Sequence, residues 1–150
     1  MADTLSIRLA QPGEAAAVAR LHRAVRQACL PYLPDLHSSA EDLWFFRERV
    51  FPVCQVWVAG RDRLVGFCAC RPGWIDHLYV EPDHHGRGLG SAFVAEAMKT
   101  QEELRLWVFQ RNVAAIRFYE ARGFQLVERT DGSRNEENEP EALYEWRKAS

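Results

Sequence analysis

The sequence predicts a mixed α/β fold with elements in the order β-α-α-β-β-β-α-β-α-β-β, and three features predict it. Short alternating apolar runs recur along the chain, and runs of helical period stand between them. The third feature is a strand that passes through a glycine loop into a helix. It reads Ile75-Asp76-His77-Leu78-Tyr79-Val80, Glu81-Pro82-Asp83-His84-His85, Gly86-Arg87-Gly88-Leu89-Gly90-Ser91, and then an apolar helical run over residues 92–98.

Residues 5–9 alternate and read as the first strand, ended by Gln11-Pro12-Gly13. From Glu14 to about residue 30, Ala17, Val18, Leu21, Val25 and Ala28 recur at helical spacing. Pro31 and Pro34 then impose a loop. Ser39, with Asp42 three positions on, reads as the N-cap of a helix carrying Leu43, Trp44, Phe46 and Val50, which Pro52 closes. Residues 55–59 and 64–70 read as a hairpin about Gly60-Arg61-Asp62-Arg63. The strand 74–80, the glycine loop and a helix to about residue 100 follow. Residues 104–109 read as a strand, and 112–122 as a helix with Gly123 just beyond its end. Strands at 124–129 and 143–147 complete the order.

A chain of 150 residues supplies one core and is short for two ordinary domains, so residues 1–150 are expected to form a single domain. A net charge of −2 supplies no global field for nucleic acid or an anionic membrane, and neither partner is expected. The N-terminus lacks an apolar signal core, and no apolar run approaches spanning length, so a cytoplasmic location is expected. The cysteines are Cys29, Cys54, Cys68 and Cys70. Cys68 and Cys70 alternate on one strand and share a face. A C-x₂-C pair is absent, so buried reduced thiols are expected and no metal site is.

The glycine loop is a device for phosphate. Glycine lets the backbone approach an anion, and the first-turn amides and dipole of the following helix favour negative charge. A Walker loop needs Lys and Ser/Thr after its last glycine, whereas Gly90 precedes Ser91-Ala92. A dinucleotide fingerprint needs G-x-G-x-x-G, whereas these glycines fall at every second position. A pyrophosphate ligand of another kind is implied.

A second constellation follows: Leu104-Arg-Leu-Trp-Val108, then Asn112, Ala115, Phe118, Tyr119, Gly123 and Phe124. With Val80-Glu81-Pro82 and His85-Gly86-Arg87-Gly88-Leu89-Gly90, it resembles the GCN5-related N-acetyltransferase (GNAT) family. That family's signature is V-x-P, a loop close to Q/R-x-x-G-x-G/A, a strand, N-x-x-A-x-x-F-Y and G-F. The one departure is His85, which stands where the family usually carries Gln or Arg; a neutral imidazole still offers one N–H. The specific motifs lie between Trp74 and Phe124, and the element order of the whole chain is the one the resemblance implies.

The resemblance implies an acyl-CoA N-acyltransferase fold with splayed central strands, acetyl-CoA as co-substrate, and direct attack of a primary amine on the thioester. It implies cofactor contacts from Leu78, Tyr79, Val80, His85, Gly86, Arg87, Gly88, Leu89, Gly90, Ser91, Asn112, Phe118 and Tyr119. A backbone N–H between Leu78 and Val80 polarises the carbonyl, and Tyr119 is the acid for the departing thiolate. The base is Asp76 or a water beside it. Strict alternation puts Trp74, Asp76, Leu78 and Val80 on one face and Ile75, His77 and Tyr79 on the other. His77 titrates in a better range but points away, unless a bulge reverses it. The acceptor is expected between Tyr32, Asp35 and His37 on one side and the acidic 131–140 connection on the other, with Glu136 and Glu137 the nearest carboxylates and Glu139 beyond them. A small cationic amine, or a peptide amine, is the implied acceptor. A homodimer stays open, as does a non-catalytic CoA-binding module on the same fold.

Overall fold

The computed structural model describes residues 6–149. The strands are β1 (Ile7–Leu9), β2 (Gln55–Ala59), β3 (Gly66–Arg71), β4 (Trp74–Val80), β5 (Glu103–Phe109), β6 (Gln125–Thr130) and β7 (Glu141–Arg147). The helices are α1 (Ala15–Cys29), α2 (Ser39–Phe45), α3 (Leu89–Met98) and α4 (Val113–Glu120). The element order is the one the sequence predicts. The predicted start of β1 at Leu5 lies outside the described residues. Among the described residues, no helix is long and apolar enough to cross a membrane.

The strands form one mixed sheet in the order β1-β2-β3-β4-β5-β7-β6. Every neighbouring pair is antiparallel except β4 and β5. That parallel pair is registered at a single point among the described residues, Trp74 opposite Arg105, where the Arg105 N–H donates to the Gly73 carbonyl at 2.9 Å. Beyond it the two strands part, giving the splayed centre that the family resemblance implies.

Alternation along the strands feeds two apolar layers. On one face Val18, Leu21, Val25, Phe46 and Val50 pack on Val56, Val58, Phe67 and Ala69. On the other, Phe93, Val94 and Ala97 of α3 and Tyr119 of α4 pack with Cys68, Cys70, Ile75, Leu104, Leu106 and Tyr144. Cys68 and Cys70 share that second face as expected, reduced and buried, with sulfurs 3.5 Å apart.

Local chemistry sets the helix ends. Ser38, one residue before the predicted cap, begins α2: its Oγ accepts the Glu41 N–H, and the Glu41 carboxylate accepts the Ser38 N–H. This reciprocal box satisfies two donors that the helix leaves unpaired. After Phe45 the helix widens into a π turn, Phe46–Val50, and ends before Pro52. The third helix begins at Leu89, inside the glycine loop and three residues earlier than predicted, because Gly88 adopts a left-handed φ of 82° and turns the chain into it. Asn112 caps α4 by accepting the Ala115 N–H at 3.2 Å.

One irregularity re-aims β4. Ile75 pairs with Cys70 and His77 with Ala69, so Asp76 is the extra residue of a β-bulge. Ile75 therefore joins the α3 face with Leu78 and Val80, while His77 and Tyr79 face α1, among Phe46 and Phe67. Strict alternation had grouped Ile75 with His77 and Tyr79, and the bulge overturns that grouping.

Candidate active site

The phosphate device is assembled as the sequence suggests, with one difference. A Cβ built at Gly86 or Gly88 meets nothing within 4 Å, so the loop face is open to a ligand, and both residues have positive φ. Gly90 plays another part: its Cβ would stand 3.1 Å from the Phe118 ring, so it is the close approach of α3 to α4. The Leu89 side chain is buried in the core, leaving only its backbone for the loop. Arg87 is exposed. Ser91 accepts a hydrogen bond from Arg122, whose guanidinium lies 3.7 Å from the Phe118 ring centre and also donates to the Phe118 carbonyl. Arg122 thus ties the first turn of α3 to α4, a role sequence reasoning missed. The His85 Nε2–H donates to the Val80 carbonyl at 2.6 Å, folding the loop onto the end of β4.

Beside the loop lies the gap between β4 and β5. The Glu81 N–H donates to Val65 of the β3 side at 2.8 Å. Alternation then turns the Tyr79 amide toward β3 and the Leu78 and Val80 amides toward the gap. Unpaired strand amides facing a parting of strands are ready-made donors for an extended ligand or a developing oxyanion. Tyr119 is buried next to this region, with its ring against Phe118 and Phe124. Burial, reinforced by Cys68, Tyr79 and Cys70, pushes its phenol well above the ordinary range. The group is a neutral phenol at physiological pH, in the form that can donate a proton.

Asp76 stands at the bulge, bound to Arg71 Nε at 2.7 Å and approached by the Cys54 thiol at 3.6 Å. Burial and Asp76 push that thiol up to about 12. This group lines a small cleft of about 470 Å³ together with Phe45, Arg49 and His77.

A larger cleft, about 860 Å³, lies on the α1 side, walled by the α1–α2 connection, α2 and Glu136 and Glu137 of the β6–β7 connection. The structure therefore brings the predicted acceptor segments together, but their carboxylates are not bare. Asp35 pairs with Arg23 at 2.7 Å, Glu136 with His37 at 2.9 Å, and Glu137 approaches Arg26 at 3.8 Å. Glu139 takes a two-pronged bond from Arg111 at 2.8 and 2.6 Å. The Arg111 guanidinium also covers the Tyr32 ring at 4.3 Å. The acidic connection reads as a free negative surface in sequence; folded, its charges are largely compensated.

Sequence reasoning also missed the floor of this cleft. His22 of α1 meets Tyr79, Phe46 and His77 with ring centres 4.7, 5.0 and 5.6 Å away. Burial, then the positive neighbours His77, Arg26 and Arg23, lower His22 to about 3. Burial lowers His77 to about 4, against a smaller opposing pull from Asp76. Both imidazoles are neutral at pH 7. The available signal was the position of His22 on the apolar stripe of α1, four residues after Val18 and three before Val25.

Comparison with known proteins fits this geometry. A family model described as an acetyltransferase (GNAT) domain matches residues 52–126, half the chain, and the chain belongs to that family. Peptidyl-lysine N-acetyltransferase YjaB of Escherichia coli K12 is 34% identical over 82 residues, covering 53% of this chain and 56% of YjaB. Peptidyl-lysine N-acetyltransferase YiaC of the same strain is 33% identical over 101 residues, covering 67% of this chain and 61% of YiaC. By sequence the chain thus spans less than two thirds of either relative. The solution structure of apo YjaB superposes with a TM-score of 0.78 at 24% identity, covering 97% of this chain and 99% of that one. The yncA acetyltransferase structure from Salmonella typhimurium, solved with acetyl-CoA, gives 0.70 at 16% identity over 99% of this chain and 96% of its own. At these identities the superpositions establish the shared fold.

Proposed function

We propose that the chain is a single, cytoplasmic N-acetyltransferase domain that moves the acetyl group of acetyl-CoA directly to a primary amine. The observation that carries the reading is the gap beside β4, bordered by the open glycine loop at one end and by buried Tyr119. Bound acetyl-CoA supplies an acetyl group already activated as a thioester. The amides of residues 86–91 and the N-terminal end of α3 hold its pyrophosphate, with Arg87, His85 and the Arg122–Ser91 pair around them. Asn112 and Phe118 set the opposite wall. The Leu78 and Val80 amides stabilise charge on the carbonyl oxygen. Tyr119 protonates the departing sulfur. Asp76 lines the smaller cleft, which shares Phe45 and His77 with the larger one, so the proton that the amine sheds reaches it through a water.

The acceptor is a small cationic amine or a lysine side chain, entering the larger cleft between Asp35 and His37 and the Glu136–Glu137 pair; Tyr32, its ring covered by Arg111, is not on the lining. The names of YjaB and YiaC support an amine of the lysine kind. Four free cysteines support a reducing compartment. A thiol-release screen with acetyl-CoA and a panel of small amines and lysine peptides tests the reading. Amine-dependent thiol release supports it, and release at the hydrolytic rate with every amine contradicts it.

A further inference from the structure

Nine large apolar side chains stand exposed among the described residues, and four of them, Leu36, Trp44, Phe45 and Val53, come from residues 36–53. All four line a cleft: Leu36 and Trp44 the larger one, Val53 the smaller, and Phe45 both. The other five, Leu9 and Val127 among them, line neither. Helix geometry explains the exposure. Phe46 and Val50 take the buried side, and each residue turns a helix by about 100°, so Trp44 and Phe45 cannot share it. Both rings are nonetheless held. The Arg49 guanidinium covers Trp44 at 4.9 Å, and Phe45 stands edge-on to Phe46 and His77 with ring centres 5.5 and 6.1 Å away. Apolar side chains exposed singly are ordinary, whereas a group of them around a cleft marks a binding surface.

We propose that Phe45 and Val53, with Leu36 and Trp44 at the rim, select the acceptor: a peptide lysine with a large apolar residue two positions away in its sequence. This rests on the acetyltransferase reading above and narrows its acceptor. The lysine enters the larger cleft, whose lining sets five carboxylates against Arg23, Arg26 and His37, an excess of negative charge that suits a cation. A small ligand fills a cavity of about 300–1,000 Å³. A small amine therefore occupies the larger cleft, about 860 Å³, and leaves Val53 and the far side of Phe45 uncovered. A peptide covers both. In an extended chain alternate side chains point the same way, about 6.6 Å apart. The two clefts adjoin, sharing Phe45 and His77, so a step of that size carries a side chain from one to the next. With the lysine in the larger cleft, the side chain two positions away lies across Phe45 toward Val53, and an apolar one is removed from water there.

Three peptides blocked at both ends test the assignment, Gly-Gly-Lys-Gly-Gly, Phe-Gly-Lys-Gly-Phe and Gly-Phe-Lys-Phe-Gly, with 2-phenylethylamine as the small-amine probe and initial rates measured with acetyl-CoA. Wild type is expected to use Phe-Gly-Lys-Gly-Phe with a kcat/KM about tenfold or more above the all-glycine peptide, the gain lying in KM. Phe45→Ala and Val53→Ser are each expected to cut that ratio about threefold or more. Val127→Ser, which removes an exposed apolar group from β6 away from both clefts, is expected to leave it unchanged. Should Phe45→Ala fail to fold, Val53→Ser decides, since Val53 is 65% exposed. Equal rates with the first two peptides overturn the proposal, as does a ratio that both variants leave intact. A stronger effect of phenylalanine next to the lysine overturns it, as does better use of 2-phenylethylamine than of any peptide. A wild-type dimer in sedimentation at assay concentration that Val53→Ser dissociates also overturns it, because a second copy then covers this surface. Wild-type protein that binds acetyl-CoA yet acetylates no probe overturns the acetyltransferase reading and this proposal together; turnover without preference removes the proposal only.

Discussion

Acid should unfold this protein through its two buried histidines. The ordinary histidine value is 6.5, and the folded values are about 3 for His22 and about 4 for His77. Each folded value lies below the unfolded one, so between them the unfolded chain binds more protons and stability rises with pH. The full contribution is present above about pH 6.5 and drains away as pH falls toward 4 and then 3. Each pH unit below 6.5 costs about 1.4 kcal/mol per histidine, so near pH 4.5 each has lost about 2.5 kcal/mol. Together that is about 5 kcal/mol, a third or more of a typical domain's stability of about 5–15 kcal/mol. Urea denaturation of wild type, His22→Phe and His77→Phe near pH 7.5 and near pH 4.5 checks the figure. Acid-sensitive carboxylates such as Glu14, held at about 2 chiefly by its hydrogen bonds from Arg8, are common to all three proteins and cancel. Each variant should lose about 2.5 kcal/mol less than wild type across the interval. Equal losses in all three would refute the reasoning.

Other outcomes are expected. Tyr119→Phe should lower kcat about a hundredfold with little change in acetyl-CoA affinity, because it removes a proton donor and keeps the ring against Phe118 and Phe124; calorimetric binding beside steady-state rates separates the two effects. Gly88→Ala should weaken acetyl-CoA binding at a stability cost of about 1 kcal/mol for a left-handed residue, whereas Gly90→Ala pushes on Phe118 and should cost about 1–3 kcal/mol in thermal or urea unfolding. Glu137→Gln should raise the KM of a cationic amine more than Glu136→Gln, because it leaves Arg26 uncompensated in the cleft while Glu136 bonds an exposed histidine; initial rates with a lysine peptide measure both. Arg122→Ala should raise the acetyl-CoA KM and leave the amine KM unchanged, since its contacts are Ser91 and Phe118 beside the loop.

Much of this was legible in the sequence because the signals are local. A glycine loop between strand and helix, an Asn cap, and Phe118-Tyr119 on one helical face are all read within a few residues. What was illegible depends on partners far away in the chain. The bulge at Asp76 is set by pairing with β3, and a period-two reading of β4 alone has no means of seeing the extra residue. Glu136, Glu137 and Glu139 look like a bare acidic run because their partners, His37, Arg26 and Arg111, come from three other segments. His22 lay on the apolar stripe of α1, yet the rings that make it a neutral, fixed group come from Phe46, His77 and Tyr79. The α2 cap was misplaced for a local reason. Both Ser38 and Ser39 have an acid three residues on, and the longer Glu41 side chain closes the box that Asp42 does not.

The central claim is direct transfer from acetyl-CoA to an amine, and a single-turnover reaction tests it most directly. Enzyme in slight excess over acetyl-CoA, quenched after mixing with a lysine peptide, is analysed for free thiol, acetylated peptide and the intact mass of the protein. The account predicts one acetylated peptide per thiol released, with the protein mass unchanged throughout. Thiol release without acetylated peptide, or acetyl accumulating on the protein before it reaches the peptide, would contradict it.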